Sequence, residues 1–280
     1  MRDIPVSELT TKIKTLCIEA NYVASADIVE ALSDGLSNEK SPIGQNILNQ
    51  ILDNAALAKE KRMPICQDTG MVIIFLTIGQ EVHFVGGSLE DAVNEGVRQG
   101  YEEGFLRKSV VEDPFNRVNT GDNTPAVIHY SIVPGDQVLI EVSPKGFGSE
   151  NMSQMHMLKP ADGIEGAKEA IIKTVDEAGG NACPPIIVGV GIGGSFEKAA
   201  ILSKRALLRD IDEHAESPEI KAMEEEVLHK INNLGIGPQG LGGLTTALAV
   251  HIETYPTHIA GLPVAVNISC HVTRHRKAII

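Results

Sequence analysis

The amino-acid sequence predicts an α+β fold, in which an N-terminal helical region precedes mixed β-sheets covered by helices. Apolar residues recur at helical spacing within residues 1–62, whereas Val- and Ile-rich runs such as Met71–Ile78 are typical of buried strands. At 280 residues, 42% of them apolar, the chain is long enough for a sizeable core. We therefore expect one domain over residues 1–280, divided into a helical cap (1–62) and a mixed sheet and helix part (63–280).

The cap contains two helices with clear signals. In residues 6–22 the apolar positions fall on one helix face, and Cys17 lies on that face, where a free cysteine acts as a small buried hydrophobe. Ser41-Pro42 supplies an N-cap and a first-turn proline for a second helix that runs to about Lys61.

The elements of the second part follow in order. After the strand at 71–78, Ser88 and Asp91 form a capping box that begins a helix reaching Tyr101. Two apolar runs, 126–133 and 137–142, flank Pro134-Gly135-Asp136 and predict a β-hairpin. The remaining expected elements are helices at 162–178, 195–211 and 218–234, a strand at 186–190, and short apolar runs at 244–252 and 260–268.

Composition excludes several classes of function. The formal net charge of −13, from 37 acidic and 24 basic residues, repels nucleic-acid backbones and anionic membrane surfaces. Aromatic residues make up 4% of the chain, so stacking platforms for single strands are scarce. There is no apolar run long enough to cross a bilayer and no signal-peptide pattern, and we expect a cytoplasmic protein. The four dispersed cysteines are either free thiols or metal ligands.

A glycine-rich loop at 189–194 fits the dinucleotide-binding pattern G-x-G-x-x-G, with Asp210 at a suitable distance downstream. A dinucleotide fold needs a second parallel strand that ends at this acid, but residues 207–213 continue a helical pattern. Close packing of a helix on a strand explains the glycines better than nucleotide binding does.

Three cysteines stand at breaks in the predicted elements, unlike Cys17. They occur in Ile65-Cys66-Gln67-Asp68, in Ala182-Cys183-Pro184-Pro185 and in Ser269-Cys270-His271. Their spacings match no zinc finger or C-x-x-C motif, so a shared site would have to form from three distant loops. Three thiolates on a [4Fe-4S] cluster would leave one iron open to act as a Lewis acid, with Gln67, Asp68 and His258 as neighbouring polar groups.

With these contexts in view, the sequence resembles the iron–sulfur hydro-lyase family of class I fumarate hydratases and L-tartrate dehydratases. The resemblance covers nearly the whole chain. Its ordered motifs are Ile65-Cys66-Gln67-Asp68-Thr69-Gly70, Leu106-Arg107-Lys108-Ser109, Lys145-Gly146-Phe147-Gly148-Ser149-Glu150-Asn151, Ala182-Cys183-Pro184-Pro185, the glycine-rich segment 235–243, Tyr255-Pro256-Thr257-His258, Ser269-Cys270, and Thr273-Arg274-His275.

The resemblance implies the fold of a class I fumarase N-terminal domain and a set of site residues. It implies that Cys66, Cys183 and Cys270 bind a [4Fe-4S] cluster, and that Gln67, Asp68, Arg107 and Gly148 bind substrate. The register of the glycine is open within 146–149. Asp68 would carry a proton, and His258 matches a histidine near the cluster that we count as a second catalytic candidate.

The resemblance also implies a partner. Single-chain members continue after the third cysteine, whereas this chain ends ten residues later, which is typical of the α subunit of the two-subunit form. We expect a β subunit that completes the site in an αβ heteromer, for example α2β2. We expect reversible hydration of fumarate to (S)-malate, with L(+)-tartrate dehydration as the alternative and a non-catalytic iron–sulfur redox protein as a more distant one.

Overall fold

The computed structural model describes all of residues 1–280. Its helices are α1 (Val6–Tyr22), α2 (Ala26–Asn38), α3 (Pro42–Lys61), α4 (Leu89–Glu103), α5 (Phe147–Glu150), α6 (Gly163–Ala178), α7 (Phe196–Ala206) and α8 (Pro218–Asn232). Its strands are β1 (Arg2–Pro5), β2 (Met71–Gly79), β3 (Val82–Val85), β4 (Val127–Val133), β5 (Val138–Lys145), β6 (Gln154–Leu158), β7 (Ile186–Gly193), β8 (Ala247–Tyr255), β9 (Leu262–Ser269) and β10 (Arg276–Ile279). The α+β class is confirmed. None of the helices has the length and apolar character needed to cross a bilayer.

The chain divides into two compact units. The first contains residues 1–24, 55–147 and 274–280, and the second contains residues 25–54 and 148–273. The 62 residues expected to form a cap are therefore shared between the units, with the boundary inside α3. The organisation as a single domain stays a prediction.

The first unit is built on a four-stranded sheet of order β10-β5-β2-β4, with β1 and β3 as a separate parallel pair. β2 lies in the middle, and its side chains Val72, Ile74 and Leu76 are buried. Helices α1 and α4 cover this face, and their apolar residues join β2 and β5 in one core. Cys17 lies in this core with no exposed surface, and burial raises the pKa of its thiol to about 12.

The predicted hairpin of residues 126–133 and 137–142 is wrong. Both strands exist as β4 and β5, but β2 lies between them, parallel to β4 and antiparallel to β5. The connecting turn instead contacts the end of β2, where the Gly79 N–H donates to the Gln137 carbonyl at 2.8 Å. The turn residues correctly indicated a change of direction. However, β4 and β5 each pair with the buried, apolar β2 and not with each other.

The second unit has helices on both faces of a sheet of order β6-β9-β7-β8. Alternate side chains of β7 point to opposite faces, as strand geometry requires. Ile186, Val188 and Val190 pack with α6 and α8, whereas Ile187 packs with α2, α3 and residues near α7. Parallel pairing of β7 with β8 and antiparallel pairing of β7 with β9 place the start of β7 beside the end of β9.

Three glycines of the apparent nucleotide motif, Gly189, Gly191 and Gly193, lie inside β7, and the first two explain its packing. A Cβ atom on Gly191 would lie 2.0 Å from the Ala199 carbonyl oxygen, and one on Gly189 would lie 2.3 Å from that of Ser203. Both carbonyls belong to α7. These glycines therefore let α7 lie directly against the strand, as the sequence indicated, and no strand ends at Asp210.

A buried carboxylate anchors the glycine-rich segment in the second unit. Glu39, at the end of α2, accepts backbone N–H bonds from Ser41, Leu244 and Thr245 at 2.9–3.1 Å. Burial alone would raise the pKa of Glu39, but these hydrogen bonds outweigh it and lower the pKa. The carboxylate thus stays charged and holds the segment before β8 in place.

A buried histidine predicts how stability depends on pH. His251 in β8 is 1% exposed, and burial, followed by the nearby charge of Arg209, lowers its pKa, while Glu224 opposes the shift. Its Nδ1 lies 3.2 Å from the Ala206 carbonyl oxygen, and its Nε2 has no partner. Because the unfolded chain binds this proton below about pH 6.5 and the folded chain resists it, stability should fall as the pH decreases from there.

We expect His251→Asn, which keeps a donor at the Nδ1 position but cannot titrate, to flatten this fall. The measurement is the thermal unfolding midpoint of wild type and variant between about pH 5 and 7.5. His229→Asn, at an exposed position on α8, is the control and should follow the wild-type profile. Identical slopes for His251→Asn and wild type would contradict the prediction.

Candidate active site

The segment Cys66–Gly70 forms a turn between α3 and β2 in the first unit. Cys66 is half-buried and Gln67 is exposed. Gly70 has a φ of +79°, and a Cβ atom on it would lie 2.7 Å from the Lys145 backbone, so only glycine fits where the turn joins the sheet. The turn therefore presents a thiol and an amide to solvent while its end is fixed against β5.

The Asp68 side chain accepts hydrogen bonds both from its own turn and from the segment that follows β5. Its Oδ1 accepts the Gly70 N–H at 3.0 Å and its Oδ2 accepts the Phe147 N–H at 2.9 Å. A Cβ atom on Gly146 would lie 3.1 Å from Asp68 Oδ2. Each carboxylate oxygen thus has a backbone donor and keeps a further lone pair for a ligand.

Buried side chains support the turn from beneath. The Tyr101 hydroxyl donates to the Thr69 and Gly70 carbonyls at 2.5 and 3.0 Å, and Asn123 Nδ2 donates to Gly70 at 3.2 Å. Arg274 is 4% exposed, and its Nη1 donates to the Asp68 carbonyl and to Asn21 Oδ1, both at 2.7 Å. Burial raises the pKa of Tyr101 well above its usual value, so the phenol stays a donor.

The same network positions Arg107. The Thr69 hydroxyl donates to the Arg107 carbonyl at 2.9 Å, and Asn123 Oδ1 accepts the Ser109 N–H at 2.7 Å. The Arg107 side chain itself is exposed. The first unit therefore holds the Arg107 backbone against the turn that carries Cys66, Gln67 and Asp68. A guanidinium and a carboxylate carried by one network suit a ligand with both a carboxylate and a mobile proton.

Two glycines of the 146–149 segment have different surroundings. Gly146 is buried beside Asp68, whereas Gly148 is exposed and a Cβ atom there would meet nothing within 4 Å. Two residues later, Glu150 forms an ion pair with Lys204, whose pKa burial lowers, and accepts from Asn267 Nδ2 at 3.1 Å. Both glycines lie within the 146–149 register that the sequence left open, and which of them contacts substrate stays a prediction.

Cys183 and Cys270 lie at one end of the sheet in the second unit. Cys183 precedes β7 and Cys270 follows β9, and these strands are antiparallel. Cys183 has a left-handed φ of 55°, and its carbonyl lies 3.0 Å from Nδ1 of His271. The structure thus brings these two cysteines close together, and it places Cys66 in the first unit.

His258 lies at the other end of that sheet. It follows β8, whose end at Tyr255 pairs with Gly193 at the far end of β7. With about 3.3 Å per residue along β7, His258 is roughly 20 Å from the end that carries Cys183 and Cys270. It lines an apolar cavity of about 350 Å³ with Ile164, Met223 and Ile259.

The donor chemistry fits an iron–sulfur group, although no three His, Cys, Asp or Glu side chains in residues 1–280 are arranged to hold a metal ion. None of the four cysteines forms a disulfide, and the three that stand outside helices and strands are half-buried, whereas Cys17 is fully buried. Soft thiolates at accessible loops are the ligands that iron–sulfur groups require.

Comparisons with known proteins all indicate one family. A family model described as fumarate hydratase (Fumerase) matches residues 10–279. A putative L(+)-tartrate dehydratase subunit alpha from Methanocaldococcus jannaschii is 44% identical over 262 residues, covering 91% of this chain and 92% of the relative. The L(+)-tartrate dehydratase subunit alpha of Escherichia coli (strain K12) is 34% identical over 273 residues, covering 94% and 89%.

The buried network predicts a stability effect at Tyr101. We expect Tyr101→Phe to lower the free energy of unfolding by about 1–3 kcal/mol, because the buried Thr69 carbonyl loses the Tyr101 donor and the Gly70 carbonyl keeps only Asn123. Denaturant unfolding of both proteins measures it. Tyr22→Phe is the matched control, since the Tyr22 hydroxyl donates to one carbonyl, that of Gly104, and the loss should be smaller. An unchanged free energy of unfolding in Tyr101→Phe would contradict the prediction.

Proposed function

Since this chain belongs to the fumarate hydratase (Fumerase) family and is a hydro-lyase, we propose that it is the α subunit of a two-subunit enzyme that removes water from a 2-hydroxy dicarboxylate. The observation that carries the proposal is the turn in the first unit, where Asp68 and Arg107 are held by one buried network. It supplies a carboxylate that can move a proton and a cation that can bind the substrate.

We propose L(+)-tartrate as the substrate, with fumarate and malate second. Fumarate is the first expectation from the sequence, but the relatives described above are named as tartrate dehydratase α subunits, and their alignments cover about nine-tenths of each chain. Tartrate and malate both carry a hydroxyl on the carbon next to a carboxylate. Both therefore require a cation such as Arg107 and a proton acceptor such as Asp68.

We propose that Cys66, Cys183 and Cys270 hold a [4Fe-4S] cluster. When bound with an open iron, such a group supplies Lewis acidity toward the departing hydroxyl. The three thiols are half-buried and outside any disulfide, which supports the assignment. Thiol ligands require a reducing compartment, and a cytoplasmic location is part of this proposal.

We assign a role in this reaction to each candidate site residue of the first unit. Arg107 binds one substrate carboxylate through its planar fork, and Gln67 donates or accepts a hydrogen bond beside it. Asp68 accepts the proton from the carbon adjacent to the one that loses its hydroxyl, while Gly70 and Phe147 N–H groups orient its oxygens. We assign His258 no step, since it lies at the far end of the sheet from Cys183 and Cys270.

A β subunit is part of the proposal. A dicarboxylate dianion needs a second cationic site beyond Arg107, and the α-subunit names of the relatives imply a partner chain. The loop that carries Arg107 also exposes two aromatic side chains, Phe105 (88%) and Phe115 (91%). Large exposed apolar side chains near a site favour contact with another protein.

The substrate assignment is tested by assay of the αβ complex. We expect the chain co-expressed with its candidate β partner, handled without oxygen, to have the highest kcat/KM with L(+)-tartrate, compared with the other tartrate isomer and malate. The purified α chain alone should be nearly inactive. A preference for malate would support the fumarate alternative, and full turnover by α alone would refute the need for β.

The role of Asp68 is tested by Asp68→Asn. Loss of the proton acceptor should lower kcat by about 10²–10⁴-fold with little change in iron and sulfide content. Asp53→Asn, at an exposed position of α3, is the control and should keep wild-type activity. If Asp68→Asn retains normal kcat, another group moves the proton.

A further inference from the structure

His271, the residue after Cys270, connects the two cysteines of the second unit. Its Nδ1 lies 3.0 Å from the Cys183 carbonyl oxygen, and its backbone N–H donates to the same oxygen at 3.4 Å. One residue thus contacts Cys183 with both backbone and side chain while it is bonded covalently to Cys270. The two cysteines are 87 positions apart in sequence, so this link is made only in the fold.

The contact favours one histidine tautomer. A carbonyl oxygen can only accept a hydrogen bond, and the Cys183 oxygen lies closer to Nδ1 of His271 (3.0 Å) than Gln239 Nε2 does (3.2 Å), so we assign the proton to Nδ1. Gln239 Nε2 donates one hydrogen to the Pro184 carbonyl at 2.7 Å. A protonated Nδ1 cannot accept the second hydrogen, so in this tautomer the Gln239 contact with His271 is packing.

Neighbouring groups hold the rest of this sheet end. The Gln239 backbone N–H also donates to the Pro184 carbonyl at 2.9 Å, and the Thr273 hydroxyl donates to the Cys270 carbonyl at 2.9 Å. Pro184 and Thr273 are thus fixed by their own partners. His271 joins the Cys183 strand end to the Cys270 strand end directly, through its own backbone N–H and ring, whereas Gln239 reaches both ends from a separate loop.

We propose that His271 is a positioning residue that holds Cys183 and Cys270 in the spacing required to bind the cluster. This inference rests on the proposed cofactor. Cys183 sits in a left-handed conformation that a non-glycine residue adopts only when its surroundings impose it. The Nδ1–H bond to its carbonyl is such a constraint, and it directs the thiol before any ligand arrives.

Two variants separate this role from general packing. The amide nitrogen of asparagine occupies the Nδ1 position, whereas that of glutamine occupies the Nε2 position. His271→Asn therefore keeps the bond to Cys183, and His271→Gln loses it. The full chain would be reconstituted without oxygen, its iron and sulfide counted, and the rate of cluster loss to a chelator followed by absorbance, with the unfolding midpoint of each apo protein measured alongside.

We expect His271→Gln to lose its cluster about tenfold faster than wild type, at the low end of the effect of removing an outer partner of a metal site, and His271→Asn to match wild type. Equal loss rates for wild type and His271→Gln would overturn the inference and leave the cofactor proposal intact. Equally faster cluster loss in both variants, together with lower unfolding midpoints of both apo proteins, would also overturn the inference, because the role of His271 would then be structural.

The tautomer of His271 can be measured on the wild-type protein, so this test does not depend on whether a variant folds. Selective ¹⁵N labelling of histidine should show the Nδ1–H tautomer at His271 in the apo chain, and an Nε2–H tautomer would contradict the proposal. Wild-type chain that takes up no iron and sulfide would instead overturn the cofactor proposal, and this inference with it. Failure of the two proposals is therefore distinguishable.

Discussion

The buried hydrogen bonds beneath the Cys66–Gly70 turn are the constraint on which the first unit depends. A turn that leaves the sheet ladder must satisfy its carbonyls by other donors, since a buried carbonyl without a partner is costly. Tyr101 and Arg274 supply those donors from α4 and from the segment before β10. The same bonds fix the backbone of Asp68 and, through Thr69, that of Arg107. Stability and site geometry therefore rest on one set of contacts.

In the second unit, strand pairing brings together loops that are distant in sequence. Antiparallel pairing of β7 with β9 places the segments before one strand and after the other at the same sheet end. Gly189 and Gly191 allow α7 to pack on β7, and Glu39 holds the glycine-rich segment that carries Gln239. The helices thus support the sheet, and the sheet end carries Cys183 and Cys270.

Much of this could be predicted from the chain. The buried strand at 71–78, six of the helices and the status of Cys17 follow from apolar periodicity and are present. Helix α2 was not predicted, and α7 ends at Ala206 although the helical pattern continues to residue 211. The family resemblance was confirmed over residues 10–279. The hairpin was wrong, because turn residues show where a chain reverses and do not show which strand it will pair with. The roles of Tyr101, Asn123 and Arg274 were missed, since hydrogen bonds between distant segments leave no periodic signal.

The sequence by itself determined the fold class, the family and the set of reactive side chains, because these depend on residue type and on local spacing. Only the tertiary structure decided which of those side chains meet. It grouped Asp68 with Gly146 and Arg274, brought Cys183 to His271, and put His258 at the opposite end of the same sheet. The physical reason is that strand direction and order set the neighbours of a loop, and both are fixed by the competition of all strands for burial.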